Sequence, residues 1–203
     1  MFDPDALIVR ADVHIVDIEP PVARVLELPK TLNLAQLHEV LQAAFGWTDS
    51  HLHQFIIGGL RYGAPEFDDE QGAGGRTFEA TDVRLADLAF RYGEPIDVIY
   101  EYDFGDGWRH ALTLTEVDRE EGAAYPRCVA GTRAGPPDDC GGPWGYADFV
   151  EALGDPGHER HKELRRWAGR KFDPERFDLD ETNKAIARAL KRARGGYRFR
   201  REG

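Results

Sequence analysis

Two alternating apolar runs around a glycine-containing turn, between residues 96 and 117, constrain the fold more than any other feature of the sequence. In both runs every second residue is mainly apolar or aromatic, which is the period of a β-strand with one buried face. The turn between them is Gly105-Asp106-Gly107, and a three-residue loop of this kind places its last glycine in the left-handed conformation. The pattern predicts an antiparallel hairpin that buries one face.

The same alternation predicts the register of the hairpin. With Gly107 in the left-handed position, residues of matching character face each other across the two strands. The expected pairs are Phe104 with Trp108, Tyr100 with Leu112, Val98 with Leu114, Asp103 with Arg109 and Asp97 with Thr115. A slip by one residue would mix the apolar and charged faces, so we favour this register.

The remaining segments complete an α+β pattern. Strands are expected at 7–15, 22–28 and 51–62, with the first two forming a hairpin at or near a sheet edge. Helices are expected at 34–45, at 82–90 and after Pro143, Asp155 and Asp180, whereas 125–142 is expected to be a loop. The first helix has a capping-box pattern at Asn33 and Gln36 and a stop at Gly46. We predict a single α+β domain with a mainly antiparallel sheet and helices packed on one side.

Composition sets limits on the compartment and the chemistry. A chain of 203 residues, 41% of them hydrophobic, can bury a sizeable core as one domain. It has no apolar run of about 18 residues and no signal-peptide pattern at its start, which predicts a cytoplasmic protein without a membrane partner. Cys128 and Cys140 are its two cysteines, and their spacing matches no two-plus-two zinc pattern, so we favour reduced, buried thiols.

Charge is distributed unevenly along the chain. Residues 184–203 hold eight basic residues and one acidic residue, although the whole chain has a net charge of −11. We therefore predict a domain over 1–183 and a basic helix end and tail over 184–203. A nucleic-acid backbone would be repelled by most of this acidic surface, so contact with nucleic acid is expected only through the tail. We favour a simpler explanation of the tail, a solvated helix end that complements its own dipole.

Two stretches of sequence carry a family resemblance, and shorter motifs downstream extend it. The stretches are Leu41-Gln42-Ala43-Ala44-Phe45-Gly46-Trp47 with His51-Leu52-His53-Gln54-Phe55, and Tyr100-Glu101-Tyr102-Asp103-Phe104-Gly105-Asp106-Gly107-Trp108-Arg109-His110. The downstream motifs are Tyr125-Pro126-Arg127-Cys128, Gly131-Thr132-Arg133-Ala134, Pro136-Pro137-Asp138-Asp139-Cys140-Gly141-Gly142 and Gly145-Tyr146. Together they resemble the plasmid pRiA4b ORF-3-like family over most of the chain.

The resemblance implies a fold more clearly than a reaction. The family resembles an α+β domain with a mainly antiparallel sheet, travels partly with plasmids and insertion elements, and has no firmly assigned activity. Some relatives carry a resolvase-like label, but a serine recombinase needs a nucleophilic serine near several arginines, and Ser50 is the one serine of this chain. Many relatives have a cysteine where this chain has Gly135, which argues against a cysteine-based metal site here.

A histidine and aspartate pattern supports a metal site as one functional hypothesis. His51 and His53 are two residues apart on a predicted strand, so both rings are expected on one face. Asp103, Asp106 and His110 lie around the hairpin turn that could approach them. Imidazole and carboxylate ligands suit zinc, manganese or iron, with positions left for water or substrate, as in a hydrolytic enzyme. Packing of these histidines beside the tryptophans is the alternative.

Aromatic residues support a second hypothesis, a binding or adaptor module. Four aromatic residues are candidate ligand contacts: Trp47, Tyr102, Trp108 and Tyr146. In this view the sheet supports a surface formed by the loops at 65–75 and 125–143, and the partner is a protein or a small molecule. The binding or adaptor module is our leading hypothesis, and the metal-dependent enzyme is the alternative.

Overall fold

The computed structural model of the chain describes residues 7–65, 76–90, 93–169 and 171–200, with side chains up to residue 193. The strands are β1 (Leu7–Ile15), β2 (Ala23–Pro29), β3 (His53–Ile57), β4 (Leu60–Gly63), β5 (Thr77–Glu79), β6 (Ile96–Tyr102), β7 (Trp108–Asp118) and β8 (Arg127–Thr132). The α-helices are α1 (Leu34–Phe45), α2 (Gly142–Gly154), α3 (His161–Trp167) and α4 (Leu179–Arg200). Short 3-10 turns at Ala80–Asp82 and Leu85–Asp87 replace the helix expected at 82–90.

All eight strands form one sheet in the order β5-β4-β3-β6-β7-β1-β2-β8. Neighbouring strands are antiparallel except β4 and β5, which are parallel. The predicted α+β class with a mainly antiparallel sheet is confirmed. The expectation that β1 and β2 lie at or near an edge needs a correction, since β1 is an inner strand between β7 and β2 and only β2 neighbours an edge strand.

One face of the sheet is buried because apolar residues alternate along the central strands. In β1 the side chains of Val9, Ala11 and Val13 are buried, whereas Asp12 and His14 between and beyond them are exposed. The apolar face of α1 packs against this layer, and α4 lies against α1 and β8. The other sheet face is polar and uncovered at Asp12 and His14 of β1, although Ile8 near the start of the strand is buried on that face.

The helix that leads to the site begins and ends as its sequence predicts. The Asn33 side chain accepts a hydrogen bond from the backbone of Gln36, and the Gln36 side chain accepts one from the backbone of Asn33. At the other end Gly46 has a φ of 83°, a left-handed conformation that glycine adopts without strain. The chain therefore turns sharply at Gly46 towards the start of β3.

The central hairpin keeps its predicted faces but not its predicted register. Tyr102 pairs with Trp108, Tyr100 with His110 and Val98 with Leu112, a shift of two residues from the expected pairs. The loop is longer than expected because Asp103 adopts a left-handed φ of 52° and leaves the strand. Phe104, expected opposite Trp108, therefore sits in the loop with half of its surface exposed. A shift by an even number of residues preserves the inward and outward faces.

Two further expectations differ from the structure. The segment 125–142 contains strand β8, which pairs with β2 through a β-bulge, so only part of it is a loop. The segment 51–62 is not one strand but the hairpin of β3 and β4, which turns at Gly58 and Gly59. Most of the predicted surface loop at 65–75 lies outside the described residues.

Helix α4 spans the predicted division of the chain at residue 183. Its buried residues Ile186, Ala189 and Leu190 pack against the domain, so its first half is part of the core. The separate basic tail from residue 184 onward stays a prediction. Among the helices of the described segments, none combines the length and apolar composition that crossing a lipid bilayer requires.

Candidate functional site

Three chain segments meet at the end of the sheet where α1 leads into β3. They are the connection 46–52, the loop of the central hairpin at 103–107, and the loop 134–141 that precedes α2. Each segment contributes one candidate metal ligand: His51, Asp103 and Asp139. The ligand atoms of these three side chains all lie within 4.8 Å of one another.

The free nitrogen of His51 is the central atom of this group. His51 Nε2 lies 3.0 Å from Asp139 Oδ1 and 3.6 Å from Asp103 Oδ2. Both contacts are within ion-pair distance, but neither has the geometry of a hydrogen bond, so this buried nitrogen has no hydrogen-bond partner among the described residues. One imidazole nitrogen and two carboxylate oxygens thus converge in ion-pair contact without a hydrogen bond between them.

Backbone geometry holds Asp103 in place. The N–H of Asp103 donates to the carbonyl of Leu52, which extends the pairing of β3 and β6 into the site. Asp103 Oδ1 accepts hydrogen bonds from the N–H groups of Gly105 and Asp106 at 3.1 and 3.3 Å. Since these bonds occupy Oδ1, the other oxygen, Oδ2, is the one turned towards His51.

Hydrogen bonds also tie the loop 134–141 to the other two segments. The indole N–H of Trp47 donates to the carbonyl of Pro136 at 2.7 Å, and the hydroxyl of Thr48 donates to Asp138 Oδ2 at the same distance. On the far side, Asp106 Oδ2 accepts from the N–H of Gly141. The site residues are therefore positioned before any ligand arrives.

Gly142 allows the hairpin loop to approach the loop 134–141 closely. Its φ is 69°, and a Cβ at this position would lie 2.2 Å from the carbonyl oxygen of Asp106. Gly135 shows the same restriction, because a Cβ there would lie 1.9 Å from the carbonyl oxygen of Phe45. In this chain a cysteine at 135 would not fit without moving the backbone.

A second group of one aspartate and two histidines lies near the first, at the start of β3. It contains His38, Asp49 and His53, whose ligand atoms also lie within 4.8 Å of one another. His38 Nε2 is 2.8 Å from Asp49 Oδ1, and His38 Nδ1 is 2.7 Å from the hydroxyl of Tyr100. The His53 ring stacks on the His38 ring with centroids 3.5 Å apart.

The hydrogen bonds of this second group leave His38 no free ligand atom. Because Gln42 Nε2 donates to the Tyr100 hydroxyl, that hydroxyl can donate its own hydrogen to His38 Nδ1. His38 then donates from Nε2 to Asp49. Burial and the neighbouring His38 lower the pKa of His53 to about 3, with Asp49 opposing them, so His53 is uncharged at neutral pH.

The five residues predicted as a metal cluster are divided among several places. His51 and Asp103 lie together as expected, whereas His53 belongs to the group around His38 because β3 begins only at His53. Asp106 bonds to the backbone of Gly141 and holds the hairpin loop in place. His110 faces the core from β7. Of the five, the structure brings His51 and Asp103 together and places the other three elsewhere.

His110 is fully buried and electrically neutral. Its ring lies between Phe45 and Trp47, with centroids 4.8 and 4.9 Å away, and neither ring nitrogen has a hydrogen-bond partner among the described residues. Burial lowers the pKa of His110 to about 3, although the backbone of Tyr100 opposes this change. The imidazole serves here as a packing residue.

Three of the four aromatic candidates form one buried cluster. Trp47 stacks on Tyr102 at 4.9 Å and contacts Trp108 at 5.6 Å, and all three rings are almost fully covered. Tyr102 connects this cluster to the site, because its hydroxyl accepts a hydrogen bond from the N–H of Ser50. The three rings do not present an open face to a ligand. Tyr146 lies apart on α2, where its buried hydroxyl has no described partner.

The aromatic surfaces that are open to solvent are different residues. Phe104 is exposed on the hairpin loop, and Trp144 is 86% exposed on the first turn of α2. Both belong to the chain segments that carry or follow the candidate ligands Asp103 and Asp139. Neither residue was predicted as a contact, because sequence alternation points to buried aromatic residues.

The two cysteines do not join the site as metal ligands. Cys128 is buried on β8, and its thiol donates to the carbonyl of Ala130 at 3.2 Å. Burial, together with the nearby Asp106, raises the pKa of Cys140 to about 12, so this thiol stays protonated at neutral pH. Neither thiol belongs to the two groups of candidate ligands among the described residues.

Sequence reasoning did not connect Asp139 and Asp49 with the histidines. Asp139 lies 88 positions after His51, and no local spacing links the two. The structure shows one shared feature, which no sequence motif marks: Asp49, Asp103 and Asp139 all adopt left-handed φ values between 52° and 61°. Residues other than glycine are uncommon in this region and often mark functional turns.

Comparisons with known proteins support the fold and leave the activity open. A sequence model of the plasmid pRiA4b ORF-3-like protein family matches residues 7–181. The chain is 41% identical over 182 residues to the uncharacterized protein y4hQ of Sinorhizobium fredii (strain NBRC 101917 / NGR234), covering 89% of this chain and 91% of that protein. It is also similar to the crystal structure of MM3350, a protein of unknown function from Methanosarcina mazei Go1. The TM-score is 0.75 and the identity 32%, with 86% of this chain and 97% of that chain covered.

Proposed function

The chain belongs to the plasmid pRiA4b ORF-3-like family, and from this premise we propose that it is a binding module that holds a divalent metal ion between His51, Asp103 and Asp139. One observation carries the proposal: ligand atoms from three separate segments converge, and the His51 nitrogen at their centre has no hydrogen-bond partner. A buried polar atom without a partner is costly unless something else satisfies it.

The charge and donor set of the three residues suit a divalent cation. Two carboxylates carry two negative charges, which one divalent ion neutralises. One imidazole nitrogen with two carboxylate oxygens suits zinc, manganese or iron(II) better than calcium, which prefers oxygen ligands alone. Water or an oxygen atom of a ligand would complete the coordination, because Asp139 lies on the exposed side of the group.

The group around His38 is a weaker candidate for a metal. Both nitrogens of His38 are engaged, one with Asp49 and one with Tyr100, so a metal ion would have to displace two hydrogen bonds. At the group of His51, Asp103 and Asp139, which we call the open group, a metal ion would displace no hydrogen bond of His51. The two groups therefore make different predictions for the same titration.

A direct titration tests the proposal. Zinc and manganese are titrated separately into the chelator-treated full-length protein and followed by calorimetry, and we expect one ion per chain. The His51→Ala substitution should weaken binding by more than about 100-fold, because loss of a direct ligand exceeds the loss of about 10-fold to 100-fold typical of outer-shell changes. The matched control, His14→Ala, removes an exposed histidine from the uncovered sheet face and should bind as the wild type does.

The same samples separate a binding module from a metal-dependent hydrolase. Hydrolysis is a second candidate because Asp138, the neighbour of Asp139, has a buried oxygen, Oδ1, without a described partner, which could accept a proton from metal-bound water. Turnover of nitrophenyl esters by the loaded wild type, absent in His51→Ala, would support the hydrolase. Metal binding without turnover supports the module. Equal metal binding by wild type and His51→Ala would refute both.

A further inference from the structure

A cavity lies on the side of the loop 134–141 away from the three candidate metal ligands, between α1, the start of α4 and the segment 167–178. Its volume is about 570 Å³, within the range of cavities that hold small ligands. The aromatic rings of Phe45, Trp167, Phe172 and Phe177 line it. This cleft is distinct from the three candidate metal ligands, although Asp138 at its rim neighbours one of them.

Arg24 places a buried positive charge at this cleft. The residue is only 3% exposed, and its guanidinium donates three hydrogen bonds to the carbonyls of Ala44, Ala23 and Thr132 at 2.7–2.8 Å. The central guanidinium carbon, Cζ, lies 5.0 Å from the ring centre of Phe45 and 4.5 Å from that of Phe177. No carboxylate of the described residues forms an ion pair with it, so its charge is met by dipoles and rings alone.

The guanidinium keeps its charge and retains hydrogen-bonding capacity. Burial lowers the pKa of Arg24 to about 10, which still leaves it protonated at neutral pH. The three hydrogen bonds use Nε and Nη1, and Nη2 makes none within the described residues. A buried cation of this kind gains most from an anion that can reach it from the cleft.

The surroundings of Arg24 restrict which anion fits. Asp138, Asp178 and Glu181 also line the cleft, together with Arg176, which pairs with Asp178 at 3.0 Å. Acidic side chains outnumber basic ones among the lining residues, so a multiply charged group such as phosphate is disfavoured. The aromatic walls favour a flat apolar body. We propose that the cleft binds a small monocarboxylate with a flat aromatic or apolar body, whose carboxylate pairs with Nη2 of Arg24.

Arg24 also has a structural role, which the experiment has to separate from ligand binding. By donating to Ala44 near the end of α1 it satisfies a helix-terminal carbonyl, so its replacement is expected to destabilise the fold. A variant that fills the cleft without touching Arg24 avoids this difficulty. Ala185 on α4 is half-buried and lines the cleft, whereas Ala187 on the same helix is exposed and does not.

The test uses saturation-transfer NMR on the full-length protein with 2-naphthoate, its neutral analogue 2-naphthamide, and inorganic phosphate as a competitor. We expect 2-naphthoate to bind at least about tenfold more tightly than 2-naphthamide, the size of one charge-assisted hydrogen bond. Ala185→Leu should abolish binding, and Ala187→Leu should leave it unchanged.

Four results would each overturn the proposal. Two concern the ligands: no binding of 2-naphthoate, or equal binding of 2-naphthoate and 2-naphthamide. The other two are retention of binding in Ala185→Leu and displacement of 2-naphthoate by phosphate at equal concentration. Displacement by phosphate would instead indicate a phosphate site.

Discussion

The two histidine groups at the end of the sheet differ far more than their composition suggests. Each has its ligand atoms within 4.8 Å, and their histidines His51 and His53 are two positions apart. Around His38 every bond of the imidazole is made inside the protein, to Asp49 and to Tyr100. Around His51 the two carboxylates make ion-pair contacts but no hydrogen bond. Residue type and proximity therefore do not separate the two groups, whereas the hydrogen bonds of their ligand atoms do.

The largest expected difference between the two groups is in stability. His38→Leu removes the acceptor for the hydrogen of the buried Tyr100 hydroxyl, and a buried donor left unsatisfied costs about 1–3 kcal/mol, whereas the half-exposed Asp49 can bond to water instead. We expect the free energy of unfolding to fall by about 1–3 kcal/mol, measured by urea denaturation. The matched change His51→Leu should cost less than about 1 kcal/mol, since it removes partly exposed carboxylate contacts but no hydrogen bond. Equal losses in the two variants would erase the distinction.

A second expected difference is in how stability depends on pH. His53, in the group around His38, and His110, in the core, both have a pKa of about 3 in the folded protein, against about 6.5 in an unfolded chain. The unfolded state then binds more protons below pH 6.5, so stability is complete above that pH and is lost as pH falls towards 3. Each histidine contributes a slope of up to about 1.4 kcal/mol per pH unit.

Urea midpoints measured from pH 8 to pH 4 check this sign and size. The variant His53→Phe should flatten the dependence by the share of one histidine, and the double change with His110→Phe should flatten it further. At pH 8, where both histidines are neutral in either state, the pH dependence of the variants and the wild type should coincide. An unchanged slope in the double variant would show that other groups control the acid response.

The smallest expected effect concerns how the open group is held in place. Thr48→Val removes the hydroxyl bond to Asp138 that ties the connection 46–52 to the loop carrying Asp139. We expect zinc affinity to fall by about tenfold, the lower end of outer-shell effects, with little change in stability. Thr113→Val is the matched control, because Thr113 makes a similar bond to Asp97 on the uncovered sheet face. Similar affinity in the two variants would remove Thr48 as a positioning residue.

The sequence predicted the architecture well because local patterns determine it. The alternation along β1, β6 and β7 identified the buried face, and the box of Asn33 and Gln36 identified the start of α1. The hairpin register was missed by two residues, because the loop length depends on the left-handed conformation of Asp103, which alternation does not encode. Burial of His110 could have been expected, since it alternates with Trp108 and Leu112.

The site was harder to predict because it forms from distant segments. His51 and Asp103 were correctly proposed as neighbours, since both flank strands that pair in the sheet. Asp139 reaches them only through the packing of a separate loop, which depends on contacts such as that of Gly142 with Asp106. The Arg24 cleft depends on where α4 lies against α1, and no motif in the sequence reports that placement.

The loop 134–141 is shared by the two proposed sites, and this has a thermodynamic consequence. Pro136 and Pro137 form part of the cleft wall, and Asp139 follows them after one residue. Gly135 packs closely against the backbone of Phe45 at the end of α1, and the two prolines restrict the backbone further, so the loop 134–141 has little room to move independently. Linkage is reciprocal, so whatever factor a cleft occupant imposes on metal affinity, the metal must impose on the occupant. Measuring either affinity with the other ligand present and absent gives the energetic coupling between the two sites.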